Sequence, residues 1–183
     1  INPATDKKIG DIPICGKKEV NDAISAAKNA FESWSLRPAS QRAKYLNEMG
    51  SLLVEHIDEI ALIITQENGK PLAQSRGEVK YTATYFHWYA GQALRNYGRI
   101  VPGNTAGQQL KVESSPVGVC ALITPWNFPL HQIIGKVAPA LASGCTMILK
   151  PSKEAPLNAF ILADIIHDCG LPKGVFNLVS GHG

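Results

Sequence analysis

The run Pro116-Val-Gly-Val-Cys-Ala-Leu-Ile-Thr-Pro-Trp-Asn-Phe-Pro129 constrains this chain most, because an apolar strand passes directly into a loop stiffened by two prolines. Pro125 and Pro129 fix their own φ angles and restrict the residues before them, which leaves Trp126, Asn127 and Phe128 few conformations. Asn127 is therefore held at the carboxyl end of a buried strand. A carboxamide in that position donates hydrogen bonds to an oxygen that gains negative charge during a reaction. The competing reading of an Asn between prolines is an Asx-turn, in which the side chain bonds its own backbone.

The rest of the second half alternates strand with helix. Strands are expected over Val117 to Ile123, Thr146 to Leu149 and Val175 to Val179, and helices over Phe128 to Ala142 and Leu157 to Cys169. Near-continuous apolar strands of this kind belong to a parallel sheet buried on both faces. The pattern β-α-β-α-β is half of a Rossmann-like sheet, and nucleotides bind such sheets at the carboxyl ends of the strands. Three loops leave that edge: Thr124 to Pro129, Lys150 to Pro156, and Ser180 to Gly183. The first lacks the usual Gly-x-Gly-x-x-Gly turn. In the second, Lys150 follows the middle strand where ribose-recognising groups sit in dinucleotide folds. Gly181 and Gly183 begin a turn in which backbone can approach phosphate closely.

The first half is helical. Val20, Ile24, Ala27, Phe31 and Trp34 recur at three- and four-residue steps, and so do Leu46, Met49, Leu53, Ile57, Ile60 and Ile64. The second stripe predicts one helix with Ser40 as N-cap, Gly69 as its stop and Pro71 opening the next. That next helix runs to about Asn96 and carries Tyr81, Tyr85, Phe86, His87, Trp88 and Tyr89, suited to deep packing or an interface. No acidic residue stands at helical spacing from His87, so it is read as structural. Arg99 to Val101 and Gln109 to Glu113 flank a Pro-Gly-Asn-rich turn and predict a β-hairpin.

Composition narrows the function classes. Across 183 residues, 45% are hydrophobic and 18% charged, the balance of a globular chain. The net charge of +3 is scattered without runs, which gives no footprint for nucleic acid. No stretch approaches a membrane span and no secretory leader is visible, so a cytoplasmic location is expected. Cys15, Cys120, Cys145 and Cys169 lack the paired spacing of metal or redox motifs, so no metal site is expected and Cys120 and Cys145 read as small hydrophobes.

The runs Ile123 to Pro129, Lys136-Val-Ala-Pro-Ala-Leu-Ala-Ser-Gly-Cys145 and Leu149-Lys-Pro-Ser152 resemble the NAD(P)-dependent aldehyde dehydrogenase superfamily. Ile1 to Thr5, Glu67-Asn-Gly-Lys-Pro71 and the run from Gly170 to Val179 extend the resemblance over effectively the whole chain, yet only over the first part of the family pattern. The resemblance implies an incomplete α/β fold: residues 1–183 as the N-terminal part of the cofactor-binding domain, 98–115 as a projecting oligomerisation hairpin, and no catalytic domain. It implies NAD or NADP as cofactor, a small-molecule aldehyde as substrate, and a parent enzyme that is a homo-oligomer, dimer or tetramer.

By the same resemblance Asn127 is the oxyanion donor and Lys136 a lysine beside the site, the two catalytic candidates. Thr124, Pro125, Trp126, Asn127, Lys150, Pro151, Ser152, Lys153, Gly181 and Gly183 fall where the cofactor is held. The family's nucleophilic cysteine and glutamate base lie downstream of Gly183, so this chain alone is expected to be inactive. Two departures matter. Lys153 stands where NAD-preferring members commonly carry Glu; it removes a group that repels a 2′-phosphate, although the adjacent Glu154 can compensate. Gly135 stands where the succinate-semialdehyde branch often carries Arg, which leaves general aldehyde oxidation as open as a succinate-semialdehyde role. The competing class is a catalytically inactive truncated module for oligomerisation or binding.

Overall fold

The computed structural model describes residues 1–181 and contains, among them, six helices and five strands. α1 (Lys17–Ser35) begins where the Glu19 carboxylate accepts the Gly16 N–H at 2.7 Å, and it buries Ala27 and Trp34 of the first apolar stripe together with Ala30. The second stripe does not make one helix. It is split into α2 (Ala39–Glu55) and α3 (Ile57–Asn68) at His56, whose φ of −92° and ψ of 18° leave the helical well. A Leu53-to-Ile57 step keeps the apolar spacing across such a break, so periodicity alone could not reveal it. Ser40 is likewise not the cap. Pro38 occupies that position, its carbonyl accepting the N–H groups of Gln41 and Arg42, and Ser40 lies within the first turn.

Gly69 does end α3, in the left-handed conformation at φ 80°, and Pro71 stands at the N-cap of α4 (Leu72–Ala93). α4 stops three residues before the expected Asn96. Its aromatics divide: Phe86 is fully buried, whereas Tyr81 and Trp88 are 58% and 62% exposed. β1 (Arg99–Pro102) and β2 (Gln109–Val112) form the expected antiparallel hairpin, almost entirely exposed.

β3 (Val119–Ile123), α5 (Pro129–Ser143), β4 (Thr146–Lys150), α6 (Leu157–Asp168) and β5 (Phe176–Leu178) give a parallel sheet in the order β3-β4-β5. Both crossovers run in one direction along the sheet, so crossovers of the same hand put α5 and α6 on one face, where the two helices contact each other. α1 contacts all three strands and covers the other face. The Thr146 hydroxyl ties it down by donating to the Ala27 carbonyl at 2.8 Å. Burial on both faces holds only for β4, since Ala121 and Ile123 on the edge strand β3 are exposed among the described residues.

Two buried carboxylates join the helical half to this sheet. Glu67, at the end of α3, accepts the backbone N–H groups of Leu157 and Asn158 at 2.6 and 3.0 Å, and so caps α6. Glu78, inside α4, accepts those of Leu130 and His131, both at 3.1 Å, and caps α5. Each supplies an acceptor to orphan donors at a helix amino end, where a negative charge is also favoured by the helix dipole.

Burial holds the Glu67 carboxyl above its ordinary pKa, opposed by hydrogen bonds from Asn158 and Leu157. A raised folded value means that protonation favours the folded state. The contribution is full below the unfolded pKa of about 4.3 and is lost as pH rises through the raised value. Glu67→Gln removes that titration together with one acceptor, so its urea stability relative to the unmodified chain is expected to fall as pH drops from 7 toward 4. A stability difference independent of pH would refute the assignment.

Candidate active site

The segment Glu67-Asn-Gly-Lys-Pro71 brackets the loop that carries Asn127. While Glu67 caps α6, the Asn68 amide donates to the Trp126 carbonyl at 2.8 Å and so grips the loop itself. Gly69 lets the chain reverse between these two contacts; a Cβ there would meet the Pro3 ring at 3.0 Å besides being strained at positive φ. Lys70 then folds back onto Glu78, forming a buried ion pair, and its Nζ sits 4.3 Å from the centroid of the Phe128 ring. With Glu78 fixed on the amides of Leu130 and His131, the loop is held at Trp126, at Phe128 and at the start of α5. The Asn127 side chain takes part in none of these contacts.

That side chain faces a cleft of about 730 Å³. Asn127, Phe128, His131 and Gln132 form one wall; Lys70, Glu78 and Tyr81 stand among the residues of the other. Among the described residues the carboxamide bonds no group of the protein, so the Asx-turn that competed with it is not formed. A short, rigid loop has placed a free amide at the mouth of a pocket of ligand size.

The cofactor candidates gather at the adjoining sheet edge. Thr124 donates its N–H to the Lys150 carbonyl at 3.3 Å, so the first two loops leave side by side. The Thr124 hydroxyl is buried with no partner among the described residues, Pro125 and Trp126 are exposed, Lys150 is half-buried and Pro151 buried. The Ser152 hydroxyl accepts the Glu154 N–H at 3.2 Å, and Lys153 lies 3.6 Å from the Glu154 carboxylate, the compensating neighbour. An exposed pair of this kind is weak and leaves Lys153 available. Gly181 takes φ 145° where the chain passes the Cys15 backbone, whose N–H donates to Ser180. Gly183, also expected there, lies outside the described residues, as does His182.

Lys136 is not brought into the cleft. It is half-buried on α5, one turn beyond Gln132, and Gly135 beside it faces open space. Burial raises the Cys120 thiol and pushes Cys169 up to about 11, the opposite of an activated thiolate. His87 bonds Asn47 at 3.0 Å, away from the cleft. No group of three His, Cys, Asp or Glu is placed to hold a metal, and no helix is long and apolar enough to cross a membrane, among the described residues.

Glu67, Asn68, Lys70, Glu78, Tyr81 and His131 were not singled out as site residues from the sequence. The available signal was the polar Glu67-Asn-Gly-Lys run closing an apolar helical stripe, where ordinary solvation predicts nothing special. Glu78 gave none, since its partners lie 52 and 53 residues away.

Comparison with known proteins adds a family. The model described as "Aldehyde dehydrogenase family" matches residues 1–183. An NADP(+) succinate-semialdehyde dehydrogenase of Escherichia coli (strain K12) is 44% identical over 180 residues, covering 98% of this chain and 37% of the enzyme. A mitochondrial succinate-semialdehyde dehydrogenase of Arabidopsis thaliana is 47% identical over 181 residues, 99% of this chain and 34% of its own length. Among solved structures, a betaine aldehyde dehydrogenase point mutant from Staphylococcus aureus in complex with NAD+ superposes with a TM-score of 0.97 at 35% identity, covering 100% of this chain and 38% of that one. The chain thus spans little more than a third of these relatives.

The clamp on the loop is directly testable. Asn68→Ala removes one neutral hydrogen bond, worth about 1 kcal/mol. Amide hydrogen exchange over residues 124–129 is expected to quicken while helix content stays constant; unchanged protection would show that Asn68 does not hold the loop.

Proposed function

The chain belongs to the aldehyde dehydrogenase family, and on that premise we propose that it is the front part of an NAD(P)-dependent enzyme oxidising an aldehyde to a carboxylic acid. The observation that carries this reading is Asn127, a carboxamide with no partner in its own loop, held rigidly on a cleft beside a nucleotide-type sheet edge. Such a donor stabilises the oxyanion that forms when a nucleophile adds to an aldehyde carbon. The nucleophile in this reading is a cysteine thiolate that forms a thiohemiacetal and then a thioester. We assign it to sequence outside residues 1–183, because burial keeps Cys120 and Cys169 protonated and none of the four cysteines lines the cleft.

The residues present fit a dinucleotide. Thr124, Pro125, Trp126 and Asn127 would lie along one side of it, and Lys150, Pro151, Ser152 and Lys153 would meet the adenosine ribose. The Thr124 hydroxyl, without a partner among the described residues, is a polar group left for a ligand at that edge. The amino ends of α5 and α6 are already taken by Glu78 and Glu67, so the pyrophosphate is assigned to the chain from Gly181 onward, where the sequence also offers Gly183. A nicotinamide cofactor held by these residues would supply the hydride acceptor that takes the thiohemiacetal to the thioester. Lys153 in place of an acidic residue supports use of NADP as well as NAD.

Lys136 has a supporting electrostatic part in this reading, from outside the cleft wall seen here. Succinate semialdehyde is one substrate the relatives' names support. Assembly as a dimer or tetramer through the exposed hairpin, and a cytoplasmic location, belong to the same proposal.

In the full-length enzyme that contains this chain, Asn127→Ala is expected to lower kcat by about 10²–10³, the usual cost of one oxyanion donor, with a smaller change in KM. A variant that retains wild-type kcat would remove Asn127 from the chemistry.

A further inference from the structure

The segment that precedes α1 runs along the sheet edge where the cofactor loops leave, and it reaches two of those loops. Ile9, Gly10 and Ile12 share a cleft of about 120 Å³ with Glu67, Lys153 and Glu154, at the second loop. Pro13 and Cys15 then meet the third. Cys15 donates its N–H to the Ser180 carbonyl at 2.9 Å, and the Ser180 N–H returns to the Cys15 Sγ at 3.5 Å. The Ser180 hydroxyl donates to the Pro13 carbonyl. From Cys15 the chain passes through Gly16 into α1, so these contacts are anchored to the helix that covers the sheet.

Together they fix the exit of β5. Val179 donates its N–H to the Leu149 carbonyl of β4 at 2.9 Å, and the next residue, Ser180, is held by the N-terminal segment instead. Val179, Ser180 and Gly181 are all buried. A Cβ at Gly181 would stand 3.3 Å from the Cys15 carbonyl oxygen, at a φ of 145°, so the segment also bounds the space through which the turn runs. A turn that is ordered before its ligand arrives loses less freedom on binding.

Resting on the NAD(P)-dependent reading above, we infer that Ser180 is a positioning residue for the cofactor: with Pro13 and Cys15 it forms a strap that presents the backbone from Gly181 onward to the dinucleotide. Ser180 touches no reacting atom in this account and acts through the turn that follows it. The strap therefore governs affinity for the cofactor. NAD and NADP share the pyrophosphate that this turn would meet, so both respond alike.

The test measures binding of NAD and of NADP to the full-length enzyme by calorimetry. Ser180→Ala removes the bond to Pro13, which is exposed, so water can take the freed carbonyl and the fold is kept. Thr146→Val is the matched control. It removes another buried hydroxyl-to-carbonyl bond, the one that ties Ala27 of α1 to the amino end of β4, far from the loops. Ser180→Ala is expected to raise the Kd of each cofactor that the wild type binds by about three- to fivefold, within the worth of one neutral hydrogen bond. Thr146→Val is expected to leave those values unchanged. A Kd that Ser180→Ala does not alter overturns the inference. An equal rise in Thr146→Val does so too, because it would mark a general loosening of the fold. Wild-type enzyme that binds neither cofactor overturns the parent reading and this inference together.

Discussion

The buried carboxylate of Glu78 is the contact on which the geometry of the site depends. It reaches out of α4 to cap α5, and Lys70 closes over it. A buried ion pair gains little net stability by itself, because desolvation offsets the attraction. What it gives here is position: the amino end of α5 cannot shift without leaving a charge unpaired, and Asn127 lies three residues before the first of the two amides that Glu78 holds. Glu67 does the same for α6, so the helical half and the sheet are locked at two matching points. Asn68 and Lys70, flanking Gly69, connect these points to the loop between them.

This arrangement inverts a familiar use of helix amino ends. In doubly wound folds those ends commonly receive phosphate, because orphan N–H groups and the helix dipole favour an anion. Here the protein supplies its own anions to two of them. With Glu78 on the amino end of α5, the Leu130 and His131 N–H groups are not left for a phosphate, and the loop before them carries prolines and an Asn instead of glycines. A loop that need not wrap a phosphate can be rigid, and rigidity is what an oxyanion donor requires.

Much of this was legible in the sequence because local rules sufficed. The three parallel strands and two crossover helices appeared where apolar runs and their breaks put them, within one or two residues. The hairpin and the left-handed stop at Gly69 followed from turn chemistry. Asn127 could be singled out because prolines restrict it locally. The errors have a common cause. The break at His56 preserves the apolar spacing, and Pro38 displaces Ser40 as the cap, so neither change alters the pattern that was read. Glu67, Asn68, Lys70 and Glu78 act across 52 to 91 residues of sequence or through a turn that closes only in three dimensions.

The claim that the helical half positions the oxyanion donor is tested most directly by a double-mutant cycle on kcat in the full-length enzyme, using Glu78→Gln, Asn127→Ala and the pair. If Glu78 acts by placing Asn127, its substitution slows the wild type but adds little once the carboxamide is gone, and the two effects fall well short of additive. Full additivity would mean that Glu78 influences the reaction independently of Asn127, and would contradict the account.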